Sequence, residues 1–122
     1  MGDFIKTEIE SGLAILRFNS PDDRNALSRL DQCVDIADAL SALNAGADIK
    51  VAILTGSGPS FCAGGNIKDM KSKTGFMAGS PAEMAEGYRH GLHRIPLAFQ
   101  ALEVPIIAAV NGHAMGAGLD IA

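Results

Sequence analysis

Apolar and polar residues alternate from Phe4 to Glu10 and again from Leu13 to Asn19. This period-two pattern predicts two strands with one covered face each, and Ser11-Gly12 between them predicts a hairpin. The period then changes. Leu27, Leu30, Val34, Ala37 and Leu40 recur at three and four residues, with Arg29, Asp31, Asp35 and Asp38 facing elsewhere. An amphipathic helix follows from that spacing, opened by the capping-box pattern Ser28-Arg29-Leu30-Asp31 and stopped near Asn44-Ala45-Gly46. Lys50 to Thr55 is a short apolar run ended by Gly56-Ser57-Gly58-Pro59, which predicts a strand covered on both faces. A loop comes next, and Asn66 is placed to cap a short helix.

Residues 71–80 carry no periodicity and read as a surface loop. Ser80-Pro81-Ala82-Glu83 combines an N-cap, a first-turn proline and an acid three residues on, a helix start. Met84, Tyr88, Leu92, Ile95, Phe99 and Leu102 keep helical spacing behind it as a core-facing stripe, and Pro96 is expected to kink or divide that helix. Pro105 to Val110 predicts a second buried strand, broken by Asn111-Gly112, and Gly116-Ala117-Gly118 opens a further helix. The resulting order is ββ-α-β-α-α-β-α, an α/β layered class in which ligands lie beyond the carboxyl ends of strands. The last helix stops within about a turn, so the chain reads as truncated.

Length and composition narrow the possibilities. The 122 residues suit one domain, with 48% hydrophobic and 20% charged residues, enough apolar content for a core. A net charge of −4 argues against a nucleic acid or anionic membrane partner. The apolar stretch from Val104 to Ala122 is interrupted by Asn111, His113 and three glycines, so it reads as a strand and a helix rather than a membrane span. Cys33 and Cys62 have no metal-like spacing, which suggests a reduced, cytoplasmic protein without a metal site.

Familiar chemical motifs are absent. Gly56-Ser57-Gly58 lacks the third glycine of a dinucleotide fingerprint, and Gly58-Pro59-Ser60-Phe61-Cys62 fails the serine nucleophile elbow at its last position. His90 and His93 stand three apart, but nothing completes a ligand set, and both read as solvent-facing. Cys62 reads as a small packed residue rather than an activated thiol. What remains is a pair of strand-to-helix turns, 61–66 and 111–118. Each can present unsatisfied backbone N–H groups beside small residues. Aimed at one oxygen, two such donors form an oxyanion hole. From spacing alone, two ordinary glycine turns account for the pattern equally well.

The strings SFCAGGNIKDM (60–70) and PIIAAVNGHAMGAGLDIA (105–122), preceded by RNALS (24–28) and VAILTG (51–56), resemble the enoyl-CoA hydratase/isomerase family, the crotonase superfamily. All four segments occur in the family's order, and the resemblance spans essentially all 122 residues. It covers about the first half of a family domain, so residues 1–122 are expected to be the N-terminal part of a crotonase-like domain. The implied fold is a spiral of ββα units. The implied partner is an acyl-CoA thioester, with coenzyme A entering as part of the substrate and no separate cofactor.

The resemblance assigns one oxyanion N–H to Gly65 and the other to Ala117, which stands between Gly116 and Gly118 where the family has a middle glycine. The alanine keeps its N–H. Arg24, Asn25 and Ala26 resemble the loop that contacts coenzyme A. Ala63, Asn66, Ile67 and Lys68, together with Gly116, resemble the segments lining the substrate path, although Arg24 and Lys68 also suit a solvated surface. Asp120 occupies the position of a hydratase glutamate and is one methylene shorter, and a second acid is expected about twenty residues on, beyond Ala122. A capping or salt-bridge role for Asp120 competes with proton transfer. The resemblance therefore implies an enoyl-CoA hydratase, with isomerisation, other thioester chemistry or ligand binding without turnover as alternatives. For a full-length form it implies a homotrimer or hexamer.

Overall fold

The structure, a computed structural model, describes residues 2–122. The predicted hairpin forms: β1 (Ile5–Glu10) pairs antiparallel with β2 (Leu13–Phe18), Ile5 opposite Phe18 and Glu10 opposite Leu13. Ser11 and Gly12 both take positive φ, 50° and 84°; that geometry matches the right-handed twist of the paired strands. The chain then makes a short 3-10 turn at Pro21–Asp23 and enters α1 (Leu30–Ala45).

Helix α1 starts later than its capping-box spacing suggests. The carboxamide of Gln32 accepts from the N–H groups of Ser28 (2.8 Å) and Arg29 (3.0 Å) and donates to the Ala26 carbonyl (3.0 Å), taking the reach-back role at the helix start that Asp31 was expected to fill. The buried stripe is Cys33, Ile36, Leu40 and Leu43, while Leu30 is exposed. Asp35, expected to face solvent, is half-buried and accepts from the Ile5 N–H at 2.8 Å.

Strand β3 (Val51–Gly56) lies parallel to β2, and β5 (Ile106–Ala108) lies parallel to β3, giving the order β1-β2-β3-β5. The inward positions Ala14, Leu16 and Phe18 face Ala52, Leu54 and Gly56 across the ladder, all buried. Val51, Ile53 and Thr55 on the other face are half-covered, so β3 is buried on one side only.

Two strands escaped the sequence pattern. β4 (Ser60–Cys62) and β6 (His113–Ala114) pair in parallel as a second, two-stranded sheet. After β4 come α2 (Ile67–Ser72), a 3-10 turn at Gly75–Met77 where a loop was expected, α3 (Pro81–His90) and α4 (Arg94–Gln100). After β6 comes α5 (Ala117–Ile121). The chain is therefore three successive ββα units: β1-β2-α1, β3-β4-α2 with its following helices, and β5-β6-α5. That is the expected spiral. The capping box at α3 is present, Ser80 Oγ accepting from the Glu83 N–H (3.2 Å) and Glu83 Oε1 from the Ser80 N–H (3.1 Å). The division between α3 and α4 falls at Gly91 rather than Pro96, which sits in the first turn of α4, where no amide donor is needed.

Phe18 stacks on Phe4 (5.4 Å) and meets the edge of Phe61 (5.5 Å), so the core of the large sheet anchors β4. A second anchor is polar. Asn25 has no exposed surface; its Oδ1 accepts from the Ser20 N–H (2.8 Å), and its Nδ2 points at the carbonyls of Ser57, Ser60 and Phe61 (3.0–3.1 Å). Its isosteric replacement Asn25→Asp sets a carboxylate against three carbonyl oxygens in a buried site. We expect a loss of at least about 3 kcal/mol, read as a lowered urea midpoint; an unchanged midpoint would contradict this anchoring role.

Candidate active site

The segment leaving β4 is laid between two others. On one side the Ala63 N–H donates to the Arg24 carbonyl (3.0 Å), and the Leu27 N–H donates to the Gly64 carbonyl (2.7 Å). On the other side the Met115 N–H donates to the Cys62 carbonyl (3.0 Å). Residues 24–27, 62–65 and 114–117 thus run side by side. Asn111 clasps the preceding loop from the far side: its Oδ1 accepts from the Gly56 N–H (3.0 Å), and its Nδ2 donates to the carbonyls of Gly58 (3.0 Å) and Ser60 (3.3 Å). Ser60 O therefore receives both asparagines.

Two glycines let these backbones touch. A Cβ on Gly64, whose φ is +78°, would stand 2.3 Å from Met115 O and 3.2 Å from the Ala117 nitrogen. A Cβ on Gly118 would stand 2.1 Å from Cys62 O. Both distances to oxygen lie inside van der Waals contact, so no other side chain fits at either position. The Ala117 amide is consequently held against the turn that carries Gly65. Among the described residues, neither the Gly65 N–H nor the Ala117 N–H donates a hydrogen bond within the protein. Ala117 is the first residue of α5, where an orphan donor is inherent to the helix.

Both residues border open space. Ala117, Asp120 and Ile121 of α5 line a cavity of about 490 Å³ with Leu27, Tyr88, Leu92, His93, Ile95, Pro96 and Phe99. Gly65 borders a crevice of about 20 Å³ that shares Leu27, Tyr88 and Leu92 with the larger space. The flexible Met70 side chain stands over Gly65, its Cε 2.7 Å from a would-be Cβ there. The stripe on α3 and α4 is half-buried for this reason: Tyr88, Leu92 and Phe99 form a cavity wall rather than filled core. A recess of about 770 Å³ beside Asp3, Arg29, Asp31 and Asp38 shares no residue with either glycine turn.

The expected site residues divide into three groups. Gly65 and Asn66 border the small crevice, and Ala117 and Asp120 border the larger cavity; Asp120 is exposed. Ala63 and Asn66 are half-buried, and Gly116, Ile67, Lys68 and Arg24 are exposed. Asn66 Oδ1 caps α2 through the N–H groups of Lys68 (2.9 Å) and Asp69 (3.2 Å). Arg24 and Lys68 have no ion-pair partner among the described residues. Asn25 and Ala26 depart from expectation: both are buried, and the Asn25 side chain spends its hydrogen bonds on the scaffold, so neither offers side-chain surface to a ligand. His93 is exposed, as expected, and also borders the cavity. Its place beside Leu92, at the edge of the α3–α4 stripe, was the signal available in the sequence.

Burial pushes both thiols up, Cys33 to about 11, with Asp31 adding to the rise, and Cys62 also upward. Both are protonated near neutrality, which removes thiolate chemistry from the site.

The enoyl-CoA hydratase/isomerase family model matches residues 8–122, and the chain belongs to that family. It is 35% identical over 116 residues to the crotonyl-CoA hydratase of Syntrophomonas wolfei, covering 94% of this chain and 42% of that protein. It is 32% identical to the peroxisomal Delta(3,5)-Delta(2,4)-dienoyl-CoA isomerase of Arabidopsis thaliana, covering 98% and 44%. The crystal structure of an enoyl-CoA hydratase/carnithine racemase from Magnetospirillum magneticum superposes with a TM-score of 0.85 at 30% identity, over all of this chain and 44% of that one. This chain thus spans somewhat under half the length of these relatives.

The contact between the turns makes an unusual sign prediction. Glycine to alanine inside a helix ordinarily stabilises by about 1 kcal/mol. Gly118→Ala is expected instead to destabilise by roughly 1–3 kcal/mol, because its methyl collides with Cys62 O. Thermal unfolding reads the sign directly, and a raised melting temperature would show that the turns are not in contact.

Proposed function

We propose that this chain acts in acyl-CoA metabolism as an enoyl-CoA hydratase, adding water across the double bond of a 2-enoyl-CoA. The observation that carries this reading is the pair of backbone donors without partners, Gly65 and Ala117, on adjacent turns at the edge of an apolar cavity. A thioester carbonyl seated between them would accept both N–H groups. When water attacks the β-carbon, charge moves to that oxygen as an enolate, and each donor stabilises it by roughly 2.7–4 kcal/mol in a water-poor site. The donors are backbone groups fixed by the sheet pairing, so little reorganisation is needed as the charge develops.

The walls support the same assignment. Leu92, Ile95 and Phe99 favour an acyl chain, and the unpaired cations Arg24 and Lys68 suit the phosphates of coenzyme A. Asp120 is the carboxylate positioned for proton transfer in this reading. Double-bond isomerisation is the second reading. It uses the same enolate and differs only in where the proton returns, and the likeness to the Arabidopsis isomerase favours it. Assembly as a homotrimer or hexamer belongs to the proposal, with the exposed Ile107, Val110 and Leu119 as apolar surface for it. So does a cytoplasmic setting.

Ala117→Pro tests the central step. Proline suits the first position of a helix but carries no N–H, so it deletes one donor and leaves α5 in place. We expect kcat for crotonyl-CoA hydration to fall about 10²–10³-fold, with an unchanged circular dichroism spectrum, followed as loss of the conjugated thioester absorbance. Undiminished turnover in this variant would overturn the two-donor reading.

A further inference from the structure

The small sheet that leads to both donors specifies its own register weakly. β4 and β6 share two pairings, Ser60 opposite His113 and Cys62 opposite Ala114, so two steps along β4 match one along β6. Phe61, the extra residue, is buried with its ring against Phe18. A pair this short, with an irregularity inside it, gains little from one alignment over the next. The alignment nevertheless matters. A slip of one residue moves a strand by about 3.3 Å, more than a hydrogen bond to a shared carbonyl tolerates. Beyond β6, the Met115 N–H on the Cys62 carbonyl (3.0 Å) and the close approach of Gly118 to that same oxygen hold the turn. Both act at one end of the pair, and a segment held at one end can still pivot about it.

The other end is held by Asn111, two residues before β6. Its Oδ1 accepts from the Gly56 N–H at the end of β3 (3.0 Å) and from the Thr55 hydroxyl (3.4 Å), and its Nδ2 donates to Gly58 O (3.0 Å) and to Ser60 O at the start of β4 (3.3 Å). The backbone beside it is as close, since a Cβ on Gly112 would stand 1.9 Å from Pro59 O. Asn111 is exposed, so its bonds compete with water and do more to select one geometry than to stabilise the fold. It lines neither the cavity nor the crevice. We propose that Asn111 is a positioning residue for the second oxyanion donor: it sets the register of β6 on β4 and, through it, the separation of the Gly65 and Ala117 amides. This inference rests on the hydratase reading above. Without the clasp the Ala117 amide drifts from the shared oxygen and the enolate loses a donor, while the apolar walls on α3 and α4 continue to bind the thioester.

Asn44 supplies the control. It is also an exposed asparagine that bridges backbone, donating to Ala101 O (2.8 Å) and accepting from the Glu103 N–H (2.9 Å), and it ties α1 to the chain after α4. We expect Asn111→Ala to lower kcat for crotonyl-CoA hydration about a hundredfold with KM little changed, and Asn44→Ala to match the wild type in both. A ligand-free readout follows from Gly64, where a Cβ would stand 3.2 Å from the Ala117 nitrogen: the nuclear Overhauser contact between the Gly64 α-protons and the Ala117 amide proton is expected in the wild type and in Asn44→Ala, and weakened in Asn111→Ala. Asn111→Asp keeps the acceptor for Gly56, loses both donations, and is expected to follow the alanine variant. Undiminished kcat in a folded Asn111 variant, an equal loss in Asn44→Ala, or a loss of kcat with the Overhauser contact intact would overturn the inference and leave the hydratase reading standing. Unfolding of both Asn111 variants would also overturn it, by making the residue a general support of the fold. Absence of hydration in the wild type would instead remove the hydratase reading. The Overhauser contact then decides: its loss in the Asn111 variants alone supports the register role, and its persistence overturns it.

Discussion

Two turns of this chain touch backbone to backbone, and the candidate chemistry depends on that contact. Gly64 leans on Met115 O and the Ala117 nitrogen, while Gly118 leans on Cys62 O, so no side chain separates the segment after β4 from the segment after β6. The small parallel sheet sets their direction. The amides of Asn25 and Asn111 supply hydrogen bonds that a longer sheet would otherwise provide, meeting at Ser60 O from opposite sides. The buried cluster of Phe4, Phe18 and Phe61 then ties the small sheet to the large one. Removing side chains from the turns and placing rigid polar clasps behind them leaves two N–H groups bare and fixed.

The same economy explains the helices. α1 covers the large sheet with Cys33, Ile36, Leu40 and Leu43, and it is purely structural. α3 and α4 also carry an apolar stripe, yet apart from the buried Ile95 it remains half-covered where Tyr88, Leu92 and Phe99 face the cavity. Helical hydrophobic periodicity therefore served two ends, packing in α1 and a cavity wall in α3 and α4. Only the partner surface distinguishes them.

Elements with a covered face and several residues of regular spacing were legible in the sequence: the hairpin, the run Val51–Gly56, and the caps at Ser80 and Asn66. β4 and β6 were not, because strands of three and two residues are too short to show a period. Gly65 and Ala117 follow these two short strands. The α1 stripe was misplaced because Gln32, a polar residue, is buried as the cap while Leu30 is exposed; hydrophobicity alone cannot rank those two. Gly65, Ala117 and Asp120 were named through resemblance to a family, since spacing alone equally allowed two ordinary turns. Asn25 came from the same source with a different part to play, and His93, set aside with His90 as solvent-facing, is exposed and also borders the cavity.

The most direct measurement is an amide NMR titration of the protein with butyryl-CoA, following the Gly65 and Ala117 N–H signals. If one carbonyl oxygen accepts both donors, the two signals move downfield together and saturate with a single Kd. Movement of only one signal, or of the two with different affinities, would contradict a shared acceptor and with it the proposed enolate chemistry.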